Sequence, residues 1–272
     1  MTTTPTASAV TTATGKRRSS FWHDTFVIFR RQFRLAVRNP AWVIIGLLQP
    51  VLYLVLFGPL LEPLAGAIGA ENAYTFFVPG LLVQLGIFGA FFAGFSLISE
   101  WRSGVVEAER VTPASRTALL VGRVLRDVVQ LFVQGVVLIV LSFAFGLRAS
   151  PGGLLLGLLI VVLLGVACAS ASNALALTTK SEDVMAPLIN SIALPVLLLS
   201  GILLPISARS GAPDWLVTLS DFMPTKYIVN AVRDAFASDF TTANVLWGVL
   251  WTIGLTALAV WAGTRTFRRE NS

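Results

Sequence analysis

Residues 154–177 read LLLGLLIVVLLGVACASASNALAL, 24 positions without a charged side chain. A helix needs about 20 predominantly apolar residues to cross the hydrocarbon core of a bilayer, and this stretch exceeds that. Five other uncharged segments meet the same length: 41–61, 75–98, 128–147, 184–206 and 243–262. Soluble cores rarely contain even one such run, so six predict an all-α polytopic membrane protein with six transmembrane helices. Composition agrees. Apolar residues make up 55% of the 272 and charged residues 12%, against about 25% charged in an average soluble domain.

The formal net charge is +6. Its placement in the chain carries topological information. With the N-terminus inside, the inner side holds seven Lys and Arg in 1–40, five in 99–127, one in 178–183 and three in 263–272; the outer side holds four, at Arg148, Arg209, Lys226 and Arg233. Sixteen against four follows the positive-inside rule. The expectation is therefore a bacterial inner-membrane protein with both termini cytoplasmic, its basic excess facing anionic lipid and not nucleic acid. Residues 1–20, rich in Thr, Ala and Ser at first, read as a disordered cytoplasmic tail. They are no signal peptide, because Lys16, Arg17 and Arg18 follow that stretch and no apolar run with a cleavage site comes after them.

Between the tail and the membrane domain of 40–265, the stretch 21–39 places Trp22, Phe26, Phe29 and Phe33 at helical spacing, with Arg31, Arg34 and Arg38 opposite. That is the pattern of an amphipathic helix lying in the membrane interface, guanidinium groups toward headgroups. Pro40 ends or kinks it. A second stretch, 100–116, alternates small apolar residues with charges of both signs and is stopped by Pro113; it reads as a short cytoplasmic helix. The third, 207–242, is too polar to span and too apolar for a free loop, which predicts two short external helices lying in or re-entering the outer face. Residues 266–272 read as a cytoplasmic tail.

Chemistry is conspicuous by what the sequence lacks. There is no G-x-x-x-x-G-K-[ST] loop for nucleotide phosphates, one cysteine (Cys168), one histidine (His23), and no Asp or Glu in the spans. Cofactor, metal and proteolytic chemistry within this chain is not expected. Ion-coupled transport usually requires ionisable side chains at membrane depth; Arg123, Arg126 and Asp127 sit only at the inner mouth of the third span. Neutral polar residues do occur within spans. Most read as interhelical hydrogen-bonding groups, and Gln49, Gln84, Asn190, Ser191 and Ser200 are the candidates for a substrate path. The fifth span combines Asn190, Ser191 and Ser200 with Pro187 and Pro195, each of which deletes a backbone donor and eases bending.

From about residue 20 to 270 the chain resembles a type-2 ABC exporter permease, in the drug-resistance branch that includes the daunorubicin exporter permease. The likeness rests on Arg30-Arg31-Gln32-Phe33-Arg34 through Arg38-Asn39-Pro40, then Gln49-Pro50 and Leu56-Phe57-Gly58; on Glu100 to Arg116; on Leu199-Ser200-Gly201-Ile202 with Pro205 and Pro213-Asp214-Trp215-Leu216; and on Pro224-Thr225-Lys226-Tyr227 through Arg233. Val105 stands where the family has Thr after Gly104, and Ala108 and Val111 replace bulkier leucines. The resemblance implies that 100–116 is a coupling helix, with Glu100, Arg102, Gly104, Glu107, Arg110, Pro113 and Arg116 meeting a partner. It implies two separate P-loop ATPase subunits holding ATP and magnesium, a second copy of this chain or a paralogous permease, and alternating-access export of an amphipathic drug-like or lipid-linked molecule. Other readings are a permease for polysaccharide or glycolipid export and, in a different class, a membrane-embedded lipid-processing or assembly protein.

Orientation is directly testable. Reporter tags after Ser150 or near Ser210 should lie outside, and tags at Ser103 or the C-terminus inside; a cytoplasmic signal at Ser210 would break the six-span topology.

Overall fold

The computed structural model describes residues 21–38, 41–64, 66, 72–110, 115–203, 206 and 211–270. Among them every regular element is helical: α1 (Phe21–Arg38), α2 (Ala41–Leu61), α3 (Ala73–Phe91), α4 (Ala93–Arg102), α5 (Val105–Arg110), α6 (Arg116–Ala144), α7 (Pro151–Thr179), α8 (Glu182–Leu199), α9 (Asp214–Asp221), α10 (Pro224–Phe236) and α11 (Ala243–Glu270). Six helical segments are long and apolar enough to cross a membrane: Val43–Leu61, Ala73–Arg102, Thr117–Ala144, Pro151–Thr179, Glu182–Leu199 and Ala243–Phe267. The protein is a multi-pass membrane protein. Residues 1–20 and Pro113, expected to form the tail and the end of the coupling stretch, lie outside the described residues.

Local chemistry starts the long helices. Ser115 accepts a hydrogen bond from the Ala118 amide at 3.2 Å and Ser150 one from Gly153 at 3.1 Å, while Pro151 fills the first turn, where a missing N–H costs nothing. Asn72 caps α3 through the Thr75 amide at 2.7 Å and donates to the Gly146 carbonyl at 3.0 Å, tying two connections on one side of the membrane.

Helices α3 and α7 form the centre: two-thirds of the apolar window of α3 and half of that of α7 are buried, against about a fifth for α2, α8 and α11. Small residues let these helices approach. A Cβ on Gly86 would stand 3.1 Å from Val161, and one on Gly157 would stand 2.7 Å from the Phe236 ring. Without a hydrophobic driving force inside lipid, such close backbone contact is what holds spans together. The outer helices turn Ile44, Ile45, Leu48, Leu56 and Leu60 of α2, and Leu246, Leu250, Leu258 and Trp261 of α11, to the outside. Exposed apolar area on that scale is incompatible with water and suits hydrocarbon.

Three elements differ from the sequence reading. The second span breaks at Phe92, between α3 and α4. Ser172 of α7 bridges the break, its hydroxyl donating to the Phe91 carbonyl and accepting from the Gly94 amide at 3.0 Å. The stretch 100–116 is not one helix. α4 runs through Arg102, the chain turns at Ser103–Gly104, and α5 occupies only 105–110; Gly104 has φ of +74°, a left-handed geometry that breaks a helix and that glycine adopts without penalty. The fifth span stops at Leu199, where Gly201, with φ of +70°, turns the chain.

Gly80 marks a tight backbone approach at the end opposite the arginines: a Cβ there would lie 2.6 Å from the Ile202 carbonyl oxygen. Gly80→Ala should lower stability by about 1–3 kcal/mol, the usual cost of overpacking, because the obstacle is backbone. Gly254→Ala, with nothing within 4 Å of the new methyl, should not. Thermal unfolding of the two variants in detergent checks the contrast.

Candidate functional site: a braced turn and a clamped opposite end

At the arginine-rich end, α1 packs along the start of α6. Its packing edge is Asp24, Thr25, Ile28 and Gln32, all buried. Ile28 sits against Gly122, where a Cβ would be 2.7 Å from the isoleucine Cγ2. The aromatic face is separate and points away from the protein, with Trp22 76% and Phe26 60% exposed. Arg30, Arg31, Arg34 and Arg38 are exposed as well, Phe33 is exposed and Phe29 half-buried. The sequence reading found two faces of this helix. The third was missed because Gln32 sits in an arginine-rich run; its signal was the i, i+4, i+8 spacing of Asp24, Ile28 and Gln32.

Gln32 Nε2 donates to Glu100 Oε1 at 2.7 Å, and Arg123 donates to Glu100 Oε2 from Nη2 at 2.7 Å and from Nε at 3.3 Å. The Arg123 side chain is 3% exposed and that of Glu100 18%. One carboxylate thus joins α1, α4 and α6. One helical turn further along α6, Arg126 pairs with Asp127 and donates to the Ser96 hydroxyl at 3.2 Å. Glu100 is therefore turned inward, behind the Ser103–Gly104 turn, and not toward the surface beyond it. On the other flank Arg102 reaches Glu182 at 3.4 Å, with both side chains about half exposed, a geometry worth about 1 kcal/mol or less. Lys180 stands 5.9 Å over the Trp101 ring.

The turn projects α5 with Glu107 and Ala108 exposed and Val106 buried against the protein. Among the described residues Arg102, Ser103, the backbone at Gly104, Glu107 and Ala108 make up the outward surface; the Arg110 and Arg116 side chains lie outside the described residues. A short helix held at its root by a buried ion pair can bear on a partner without flexing at its base.

The candidate substrate-path residues do not form one cluster. Gln84 is buried in α3, and neither its amide nitrogen nor its oxygen has a hydrogen-bond partner. Ser200 is buried and bonds back to the Leu197 carbonyl at 3.1 Å. Gln49 on α2 lies exposed, donating to the Tyr53 hydroxyl at 3.3 Å, and Asn190 and Ser191 lie exposed on α8. Helix α8 touches its own protein through the ridge Met185, Ile189, Ala193 and Leu197; its polar pair sits off that ridge.

The opposite end is held by Arg233 of α10. Its Nη2 donates to the Gly201 carbonyl at 2.8 Å and to that of Ile202 at 3.2 Å, and its Nε to the Phe76 carbonyl at 3.2 Å, while the guanidinium lies 3.8 Å over the Phe76 ring. Burial pulls its pKa down to about 9, with Asp234 acting in the other direction, so it is a cation at neutral pH. Ser220 of α9 adds a bond to the Leu199 carbonyl at 2.8 Å. The two short helices thus fasten the end of α8 to α3.

Six spans, a braced knuckle at the basic end and a pair of short helices clamped at the other define a membrane permease of the transporter type. The chain belongs to the ABC-2 type transporter family, whose profile matches residues 23–237. It is similar to the daunorubicin resistance ABC transporter permease protein DrrB1 of Streptomyces coeruleorubidus, with 24% identity over 235 residues, covering 86% of this chain and 82% of the relative. It is also similar to proteins named as transport permeases ycf38. That of Cyanophora paradoxa is 29% identical over 217 residues, 78% of this chain and 74% of the relative. That of Porphyra purpurea is 26% identical over 230 residues, 81% and 78% of the two chains.

Arg123→Met should cost about 3–5 kcal/mol, because it strands the Glu100 charge. Adding Glu100→Met should recover much of that loss, since replacing both members of a buried pair is often neutral. Equal thermal stability of the single and double variants would mean that the pair is solvated.

Proposed function

We propose that this chain is the membrane-spanning subunit of an ATP-driven exporter, working as two permease copies above two separate P-loop ATPase subunits that hold ATP and magnesium. It would sit in a bacterial inner membrane with both termini cytoplasmic, moving an amphipathic drug-like or lipid-linked molecule outward by alternating access. Family membership implies the ATPase partners, and the daunorubicin resistance relative favours a drug-like cargo. The observation that carries the coupling role is α5 itself: six residues projected from a left-handed glycine turn, with Glu100, Gln32 and Arg123 locked behind it. Closure of the ATPase subunits would press on this knuckle, and the ion pair would pass the displacement to α4, α6 and α1 together.

The exposed neutral residues suit such a cargo. Asn190 and Ser191 on α8 and Gln49 on α2 offer hydrogen bonds without the cost of a fixed charge beside lipid. In this reading they face a second permease copy across the path, and Pro187 and Pro195 let α8 bend.

Purified alone, the chain should hydrolyse no ATP. In the assembled complex, replacing Glu107 and Arg110 with alanine should leave insertion intact and reduce substrate-stimulated hydrolysis. Loss of a desolvated charged contact typically costs about 2–5 kcal/mol, and an exposed rim charge far less. Unchanged stimulation in the double variant would show that α5 is solvated surface and overturn the coupling role.

A further inference from the structure

Helix α1 is built with three faces, and one of them is left uncovered among the described residues. Ile28 against Gly122 and Gln32 against Glu100 seat it on the protein. The aromatic face of Trp22, Phe26 and Phe33 is exposed, and Arg30, Arg34 and Arg38 are exposed beside it. Asp24 is the one acidic residue of this helix, and it is buried on the packing side, so it does not neutralise the arginine face. An exposed apolar strip at the inner mouth of the spans belongs in the acyl–headgroup boundary, where flanking guanidinium groups meet lipid phosphates. The charge excess selects acidic headgroups over zwitterionic ones.

The same helix is hydrogen-bonded to the last turn before the coupling knuckle. Gln32 hydrogen-bonds to α4 through the carboxylate that also holds Arg123, and Glu100 lies four residues before Gly104. We propose that α1 is a binding site for anionic phospholipid headgroups, and that Gln32 passes occupancy of that site through Glu100 to the Ser103–Gly104 turn and α5. Lipid composition then sets how firmly the coupling helix is held. The proposal rests on the exporter reading only for what α5 acts upon; binding and transmission are properties of this chain alone.

The test reads amide hydrogen exchange on the purified full chain in nanodiscs of phosphatidylcholine, with and without phosphatidylglycerol. Phosphatidylglycerol should slow exchange both in 21–38 and in 100–110. Arg30→Gln with Arg34→Gln should weaken the preference for the acidic lipid roughly thirtyfold, at the usual contribution of a basic residue near an anionic surface, and abolish both responses. Gln32→Leu should keep the response in 21–38, since Ile28 still seats the helix, and lose the one in 100–110; Gln32→Lys, which restores a donor to Glu100, should regain it. If Gln32→Leu detaches α1, seen as fast exchange throughout 21–38 in neutral lipid, the arginine pair, which leaves the bond intact, decides the lipid role and Gln32→Lys the relay. Equal exchange in both lipids overturns the binding site. A response in 100–110 that survives Gln32→Leu overturns the relay. Protection of 21–38 that appears only on adding an ATPase subunit would assign the arginine face to a protein partner and sink the proposal.

Discussion

Arg123 enters α6 near the arginine-rich end of a span, nearly out of contact with solvent, and a guanidinium there is tolerable only if an anion and further acceptors meet it. Glu100 supplies the anion from the end of α4 and has one oxygen left for Gln32 of α1. Three helices distant in sequence are placed by that requirement. The cost of desolvating two charges is large, and pairs of this kind are often no more stable than an apolar substitute. What the pair supplies is geometry: α4 must end at one height and in one orientation, or a charge is stranded. The turn at Gly104 and the projection of α5 follow from where α4 ends.

The opposite end uses a different device for the same purpose. Helix α8 terminates early, and its trailing carbonyls at Gly201 and Ile202 need donors in a region where water is scarce. Arg233 provides several donors in one rigid fork and brings the Phe76 carbonyl into the same set. Gly80 permits the approach by presenting no side chain to Ile202. A lysine could not span these acceptors in one plane. The short helices α9 and α10 are thereby part of the packed body, and the exposed flank of α8 is left anchored at its C-terminal end and loosely held along its length.

The six spans were legible because uncharged length is a one-dimensional property, unaffected by which helix packs on which. The aromatic and arginine faces of α1 were legible for a similar reason, since periodicity needs only local spacing. The brace was not. Nothing local distinguishes Gln32 from the polar residues around it, and Arg123 read as a charge at the mouth of a span because its partner lies 23 residues away in another helix. The break at Gly104 was hidden by a charge pattern that suited one helix throughout 100–116, although glycine there was the available sign. Arg233 stood within a motif, but its acceptors are backbone carbonyls, which every residue carries and no sequence pattern marks.

The distribution of polarity then has a mechanical reading. Glu100, Arg123, Arg126, Asp127 and Arg233 lie near the two ends, where they are paired or bonded to carbonyls and hold helix ends in place. Between the ends the polar groups are neutral, and two kinds stand out among them. Ser172 and Gln134 are consumed by backbone partners on neighbouring helices, Gln134 at 3.0 Å from the Val43 carbonyl. Asn190 and Ser191 lie exposed on a helix that touches its own protein along one ridge. Rigid ends and a loosely held, proline-interrupted middle let a displacement applied at one end alter the shape of the span without unfastening the other. At membrane depth each unsatisfied polar group is costly, so ionic contacts gather at the ends and the length of the spans is left to neutral groups.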